Sequence, residues 1–198
     1  MYYTGYVLLP LPCPTDSRAE SIKKSNDMKG KVLIVYFSHV GENYNVGIIK
    51  EGNTKLVADE IKARTGGDVF EIVAEKNYNM PYDELIKVAK EETNKCELPA
   101  FKGEVKGGIE SYDTVFVGGP VWWGTYPQVM FTFFKKYDMN GKTIVPFTTH
   151  QGSGLANVVE DLKKLYPQAN VVHPFSIYGH EVRSGKDKID KWLQLLGD

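Results

Sequence analysis

The sequence is poor in cysteine, in long apolar runs and in excess charge of either sign. Cys13 and Cys96 are the only cysteines among 198 residues, too few for a disulfide scaffold or a self-contained zinc site, and they fit a reducing compartment. No apolar run reaches the roughly 18 residues that span a bilayer. The formal net charge of -1 leaves no basic excess to neutralise a phosphate backbone, which argues against nucleic-acid binding. We therefore expect a soluble, cytoplasmic protein.

The beginning of the chain differs in composition from the rest. Three prolines between residues 10 and 14 break any helix, and residues 15–27 are polar without a clear amphipathic period. Beyond them, the hydrophobic content of the whole chain, 42%, is ordinary for a globular protein. We predict a loosely ordered extension over residues 1–27 and one folded domain over residues 28–198.

Short apolar runs alternate with amphipathic segments from residue 31 onward. The runs predict five strands, over residues 31–37, 68–73, 114–118, 143–148 and 171–178. The segments between them predict five helices, over residues 53–64, 82–93, 127–137, 155–165 and 187–196. The first and third runs are apolar almost throughout, which is typical of strands buried on both faces of a parallel sheet. This alternation predicts an open α/β sheet with helices on both faces.

Two prolines interrupt the last two predicted strands. Pro146 lies inside the fourth run and Pro174 inside the fifth. Because proline cannot donate a hydrogen bond to a β-ladder, we expect these strands to lie near an edge of the sheet or to be locally irregular.

The loop after the first predicted strand ends at a helix start that could hold a phosphate. Asn53 and Thr54 open the helix, where free N–H groups and the positive end of the helix dipole attract anions, and Ser38 adds a hydroxyl. The same residues could instead serve only as helix caps. The loop lacks Gly-Lys-Ser/Thr and G-x-G-x-x-G patterns, and no acidic cluster ends the strand. These absences exclude Walker-type and dinucleotide sites and argue against a phospho-receiver site, which leaves a phosphate held by neutral donors.

The loop after the third predicted strand carries two adjacent tryptophans. Trp122 and Trp123 stand in a stretch framed by glycine and proline, residues 118–127. A flat aromatic ligand stacks favourably on such a ring, and glycines allow the backbone to approach the ligand closely. We expect one tryptophan to form a wall of the ligand site and the other to pack on the scaffold.

The loop after the fourth predicted strand, residues 148–154, supplies hydroxyls and a histidine at the same end of the sheet. His150 and His39 both follow strands, which raises the question of a metal site. No third ligand of suitable spacing accompanies them, so we expect no metal. We interpret His150 as a hydrogen-bond donor or a proton relay beside the ligand.

These loops resemble those of the flavodoxin-like family, in particular a branch with Glu-Asn-Tyr and Gly-Asn-Thr in an extended first loop followed by Trp-Trp-Gly. The resemblance runs from about Lys29 to Asp198. It implies a five-stranded parallel sheet of order 2-1-3-4-5 and non-covalent binding of FMN. The expected FMN-binding residues are Ser38, His39, Asn53, Thr54, Pro120, Val121, Trp122, Trp123, Gly124, Thr149, His150, Gly152 and Ser153.

The first loop departs from the family pattern. Residues 39–52 replace the short Thr/Ser-rich phosphate loop of ordinary flavodoxins. Within this insert, Asn43 and Tyr44 either contact the ligand or brace the loop. No catalytic acid, base or nucleophile is implied, because the flavin itself carries the electron chemistry.

Three functions remain open at this point. The protein is an electron carrier that serves a redox partner protein, a reductase that passes electrons from NAD(P)H to a small acceptor such as a quinone, or a non-redox module for another planar ligand. As a carrier or reductase it could be a monomer or a homodimer. Residues 119–127 and 148–154 contain no carboxylate that would disfavour an anionic reduced flavin. That composition favours the reductase.

Overall fold

The computed structural model describes residues 30–196; the predicted extension over residues 1–27 lies outside the described residues, as does Cys13. The helices are α1 Asn53–Thr65, α2 Tyr82–Lys95, α3 Gln128–Lys136, α4 Val158–Leu165 and α5 Lys186–Gln194. The strands are β1 Val32–Tyr36, β2 Gly41–Asn43, β3 Gly47–Ile49, β4 Asp68–Glu71, β5 Val73–Ala74, β6 Phe101–Lys102, β7 Thr114–Pro120, β8 Thr143–His150, β9 Asn170–Val171 and β10 Phe175–Tyr178. No helix within residues 30–196 is long and apolar enough to cross a membrane.

The main sheet is parallel and confirms the predicted strand order. β1 pairs with β4 on one side and with β7 on the other. β7 then pairs with β8, whose far side carries β9 and β10. When the main-sheet strands are numbered in chain order, with β9 and β10 sharing the fifth position, the order across the sheet from β4 is 2-1-3-4-5. The order reverses between β1 and β7, and this is the point where open α/β sheets bind ligands.

Helices cover both faces of the sheet because successive side chains of a strand point in opposite directions. All five residues of β1 are buried. Val32, Ile34 and Tyr36 share one apolar cluster with residues of α1 and α5. Leu33 and Val35 share the other with residues of α2, α3 and α4. The near-continuous apolar runs of β1 and β7 are therefore explained by burial on two faces.

Pro146 and Pro174 lie at positions where the sheet tolerates the loss of a backbone hydrogen bond between strands. The N–H of Val172 donates to the carbonyl of Ile144, so even-numbered residues of β8 face the edge strand. Pro146 therefore faces the gap between β9 and β10, where His173 adopts a left-handed φ of 47° and Pro174 follows. The predicted irregularity is confirmed, and it divides the edge strand into two short pieces.

Most predicted boundaries agree with the structure within two residues, and α4 shows the largest difference among the helices. The apolar pattern predicts a helix from residue 155, but α4 begins at Val158. Ala156 has a φ of 44°, a left-handed conformation that cannot belong to a right-handed helix. The helix therefore starts only after this residue.

Two small antiparallel strand pairs were not predicted, of which the first is a hairpin. β2 pairs with β3 inside the long first loop, and β5 pairs with β6 beside the edge of the main sheet. In the first hairpin, Asn45 and Gly47 have φ values of 53° and 87°, which asparagine and glycine tolerate best. The Asn-Val-Gly sequence was the available signal for this turn.

Candidate functional site

A cavity of about 250 Å³ lies at the carboxyl ends of β1, β7 and β8. The β2–β3 hairpin closes one side, and the beginning of α2 closes another. Eight of the predicted site residues line this cavity: His39, Asn53, Pro120, Val121, Trp122, Thr149, His150 and Ser153. The other five predicted residues do not line it: Ser38, Thr54, Trp123, Gly124 and Gly152. The structure therefore brings the three predicted loops together around one site.

Two of the predicted phosphate donors use their hydroxyls within the protein. The Ser38 Oγ accepts the backbone N–H of Lys55 at 3.0 Å, so it caps the first turn of α1. The Thr54 Oγ1 lies 2.8 Å from the Thr149 Oγ1, and both threonines are buried. This bond joins the start of α1 to the end of β8. Asn53 is the member of the predicted trio that reaches the cavity.

The Thr54–Thr149 pair gives a stability prediction. Thr54→Val should cost about 1–3 kcal/mol, because the Thr149 hydroxyl then stays buried without a partner. The double variant with Thr149→Val should cost less than the sum of the single variants, because both polar groups are then removed. Urea unfolding of the four proteins measures this coupling. Strictly additive costs would contradict a direct hydroxyl–hydroxyl bond.

Trp122 forms the aromatic wall of the cavity. Its ring makes edge contacts with Phe37, His39 and Tyr78, at centroid distances of 5.6, 5.7 and 5.4 Å. Tyr78 is fixed in turn, since its hydroxyl donates to the buried Glu92 carboxylate at 3.0 Å. The wall is thus supported from behind by a packed and hydrogen-bonded group.

Trp123 lies outside the cavity and packs on α2. Its Nε1–H donates to the Ile86 carbonyl at 3.0 Å, and the Lys90 Nζ lies 4.9 Å from the ring centroid. The residue is 50% exposed. Trp123 and Gly124 have φ values of 51° and 86°, so the chain turns sharply between Trp122 and Thr125. This turn is what sends the two indole rings to different places.

Several residues that surround the cavity are not among the predicted site residues. They come from the hairpin, from the first turns of α2 and from two later loops: Glu42, Val46, Tyr82, Leu85, Gln151 and Gly179. Asn43 and Tyr44 both line the cavity and brace the loop. The Asn43 Nδ2 donates to the Gly41 carbonyl at 3.1 Å, and the Tyr44 ring stacks on Tyr82 at 5.6 Å.

Burial lowers the pKa values of both histidines of the cavity. The Nε2 of His39 lies 3.3 Å from the Glu42 carbonyl oxygen. The Nδ1 of His150 accepts the Gly152 N–H at 2.9 Å, so the proton of the neutral ring is on Nε2. The lowered pKa values favour the neutral form of both rings.

The lowered pKa of His39 predicts a loss of stability in acid. The unfolded chain binds a proton below about pH 6.5, whereas burial disfavours protonation in the folded protein. The free energy of unfolding should therefore fall as pH decreases below about 6.5. His39→Gln should reduce this slope in urea unfolding at pH 7.5, 6.5 and 5.5. The matched control is the exposed His173→Asn, and an unchanged slope for His39→Gln would contradict the prediction.

Glu42 is the one carboxylate among the cavity-lining residues, and no lysine or arginine lines the cavity. Its Oε2 accepts the backbone N–H of Tyr82 at 2.9 Å, at the positive end of α2, where a carboxylate is favoured. Within residues 30–196, no group of three histidine, cysteine or acidic residues is arranged to hold a metal ion.

Comparisons with known proteins agree with this architecture. A family model described as Flavodoxin matches residues 31–196. A protein from Bacteroides eggerthii, provisionally classed as a flavoprotein, is 30% identical, with a TM-score of 0.66 over 85% of this chain and 98% of its own. A flavoprotein from Lactobacillus acidophilus, solved in complex with FMN, is 20% identical, with a TM-score of 0.59 over 82% of this chain and 98% of its own.

Among curated proteins, no relative matches the chain. The family model covers nearly the whole described part, and the strand order, the parallel sheet and the position of the cavity agree with it. This chain belongs to the flavodoxin family.

Proposed function

We propose that this protein binds FMN non-covalently in the cavity and transfers electrons through it. The observation that carries the proposal is the aromatic-walled cavity at the carboxyl ends of β1, β7 and β8, beside the start of α1. Membership in the flavodoxin family and the FMN-bound protein from Lactobacillus acidophilus support the cofactor. The cytoplasmic location and the oligomeric state stay predictions.

The residues present fit FMN on two structural grounds. The Gln151 Nε2 is buried and, among the described residues, has no hydrogen-bond partner, as expected for a donor that serves a ligand. Gly179 also lines the cavity, and a Cβ at this position would crowd the Asn53 and Gln151 side chains. The site thus combines an apolar wall with neutral donors, which suits a flat ring that carries a polar tail.

We assign roles to the predicted site residues accordingly. Pro120, Val121 and Trp122 border the isoalloxazine on one side, and Thr149, His150 and Ser153 border it on another. His39 supports Trp122 from the hairpin side. Asn53 and the backbone N–H of Thr54 hold the phosphate. Four of the predicted residues act indirectly. Ser38 caps the start of α1, Trp123 and Gly124 form the turn after Trp122, and the N–H of Gly152 orients the His150 ring.

The bound flavin supplies the acceptance and release of electrons. The chain binds and orients it, excludes water from one face and sets the electrostatic environment of the ring. That environment contains the Glu42 carboxylate, no lysine or arginine, and two histidines with lowered pKa values. A negative charge disfavours the fully reduced anion.

We favour an electron carrier that serves redox partner proteins over the reductase suggested by the loop composition. The fold brings the Glu42 carboxylate from the hairpin to the cavity. The reductase was favoured because residues 119–127 and 148–154 contain no carboxylate, and Glu42 lies outside those two segments. The cavity of about 250 Å³ is also at the small end for ligand sites. The stacked Tyr44 and Tyr82 rings form part of its lining, and a cavity of this size suits one planar ligand.

Two measurements test this proposal. Protein denatured after purification should release FMN, identified by its absorbance spectrum and chromatography, and a flavin-free protein that does not take up FMN would contradict it. Under anaerobic conditions, NADH and NADPH should reduce the bound flavin only slowly. Rapid reduction by either nucleotide would identify a reductase and overturn the carrier.

A further inference from the structure

We propose that the turn between β10 and α5, residues 179–183, completes the phosphate site. In this arrangement the amides of Asn53 and Gln151 meet the phosphate at Gly179, and Arg183 is the positioning residue that orients Asn53. The inference rests on the proposed FMN function and names the chemistry of one end of that site. The phosphomonoester of FMN is then bound by residues from three distant parts of the chain.

Gly179 marks the place where the amide donors converge. A Cβ on this residue would lie 2.7 Å from the Asn53 Nδ2 and 3.3 Å from the Gln151 Nε2. Both amide nitrogens therefore face one small region above the Gly179 backbone. Asn53 and Gln151 also line the cavity, so this region belongs to the same site. A side chain at position 179 would occupy the space that the donors surround.

The two amides are oriented by separate hydrogen bonds. The Arg183 Nη1 donates to the Asn53 Oδ1 at 3.1 Å, so the Asn53 nitrogen is left as the atom for a ligand. The Gln151 Oε1 lies 2.9 Å from the His180 Nδ1, which leaves the buried Gln151 Nε2 without a partner. Each amide thus has its oxygen engaged by the turn and its N–H groups available to an acceptor such as a phosphate oxygen.

Arg183 also adds positive charge close to this point. Its second nitrogen, Nη2, donates to the Glu51 carbonyl at 3.2 Å, so the guanidinium spans the residues that lead into α1. The groove next to the cavity is lined by Lys50, His180 and Arg183 and by no carboxylate. The two acidic residues nearby, Glu51 and Glu181, are paired with Lys55 and Lys188, so Lys50 and Arg183 are the charges that face the groove, and they favour a dianionic group at the start of α1.

A purely structural role for Arg183 makes a different prediction. If Arg183 only ties the turn to the loop before α1, its removal should weaken every ligand of the cavity to the same extent. If it serves the phosphate, its removal should weaken FMN and spare riboflavin, which has the same ring without a phosphate. The ratio of the two affinities therefore separates the two roles.

The experiment titrates FMN and riboflavin into full-length apo-protein and follows quenching of flavin fluorescence. Arg183→Gln should lower the ratio of FMN to riboflavin affinity about tenfold or more, because a charge-assisted network around the phosphate is lost. Arg183→Lys keeps the charge without the two-pronged geometry, so it should restore only part of this ratio. Lys186→Gln, which removes an exposed cation paired with Glu60, is the matched control and should leave the ratio unchanged.

Two further variants examine the amide donors. Gly179→Ala should lower the ratio because the new Cβ displaces both amides. Gln151→Leu should also lower the ratio, because it removes the amide nitrogen that faces Gly179. An affinity ratio within about twofold of wild type in both Arg183→Gln and Gly179→Ala would overturn the inference, and so would equal losses of FMN and riboflavin. Failure of the wild-type protein to bind either flavin would instead overturn the proposed function, and this inference with it.

Discussion

Trp122→Ala is expected to weaken FMN binding by about 10–100-fold, because an aromatic wall that borders a flat ring contributes roughly 1–3 kcal/mol. The same change should lower the free energy of unfolding by about 2–4 kcal/mol, since a partly buried ring that contacts Phe37, His39 and Tyr78 is lost. Fluorescence titration with FMN and urea unfolding of the apo-protein measure the two effects separately.

Trp123→Gly is the matched control for this prediction. The ring of Trp123 is half exposed and packs on α2, so its loss removes few cavity contacts. Glycine also adopts the φ of 51° at this position without the steric cost that an aromatic residue bears. We expect FMN affinity within about threefold of wild type. A larger loss of affinity in Trp123→Gly than in Trp122→Ala would reverse the assignment of the wall.

The second large effect concerns the potential for uptake of the second electron. Glu42→Gln should raise this midpoint potential by an amount on the order of 50–100 mV, because a unit negative charge is removed from the lining of the cavity. Glutamine retains an oxygen that can accept the Tyr82 N–H, so α2 should begin at the same residue. A redox titration of the FMN-loaded protein with indicator dyes gives the potential.

Glu75→Gln controls for a general change in charge. Glu75 is exposed like Glu42, but it does not line the cavity, so the variant removes the same charge at a different place. Its potential should differ little from that of wild type. Equal shifts in the two variants would show that Glu42 has no special proximity to the flavin, and a wild-type second potential near that of free FMN would favour the reductase.

The link between Arg183 and Asn53 is an example of a long-range contact that no local pattern predicts. Arg183 and Asn53 are 130 residues apart, and their hydrogen bond of 3.1 Å exists only because β10 and α5 return to the start of α1. Glu42 likewise reaches the cavity through the pairing of β2 with β3. Antiparallel pairing of such short segments depends on the turn and on the surrounding packing. For this reason the sequence of the long first loop predicted an insert but not its hairpin.

The sequence by itself determined the order of the strands and helices, the two-sided burial of β1 and β7, and the three loops that meet at one end of the sheet. These features follow from local hydrophobic periodicity and from the rule that parallel strands place their carboxyl ends along one edge. Only the tertiary structure decided which tryptophan faces the cavity, that the Thr54 hydroxyl bonds to Thr149, and that Gln151, Gly179 and Arg183 surround Asn53. Those outcomes depend on left-handed turns and on contacts between distant segments, because a side chain's direction is set by the backbone around it and by the neighbours that the whole fold supplies.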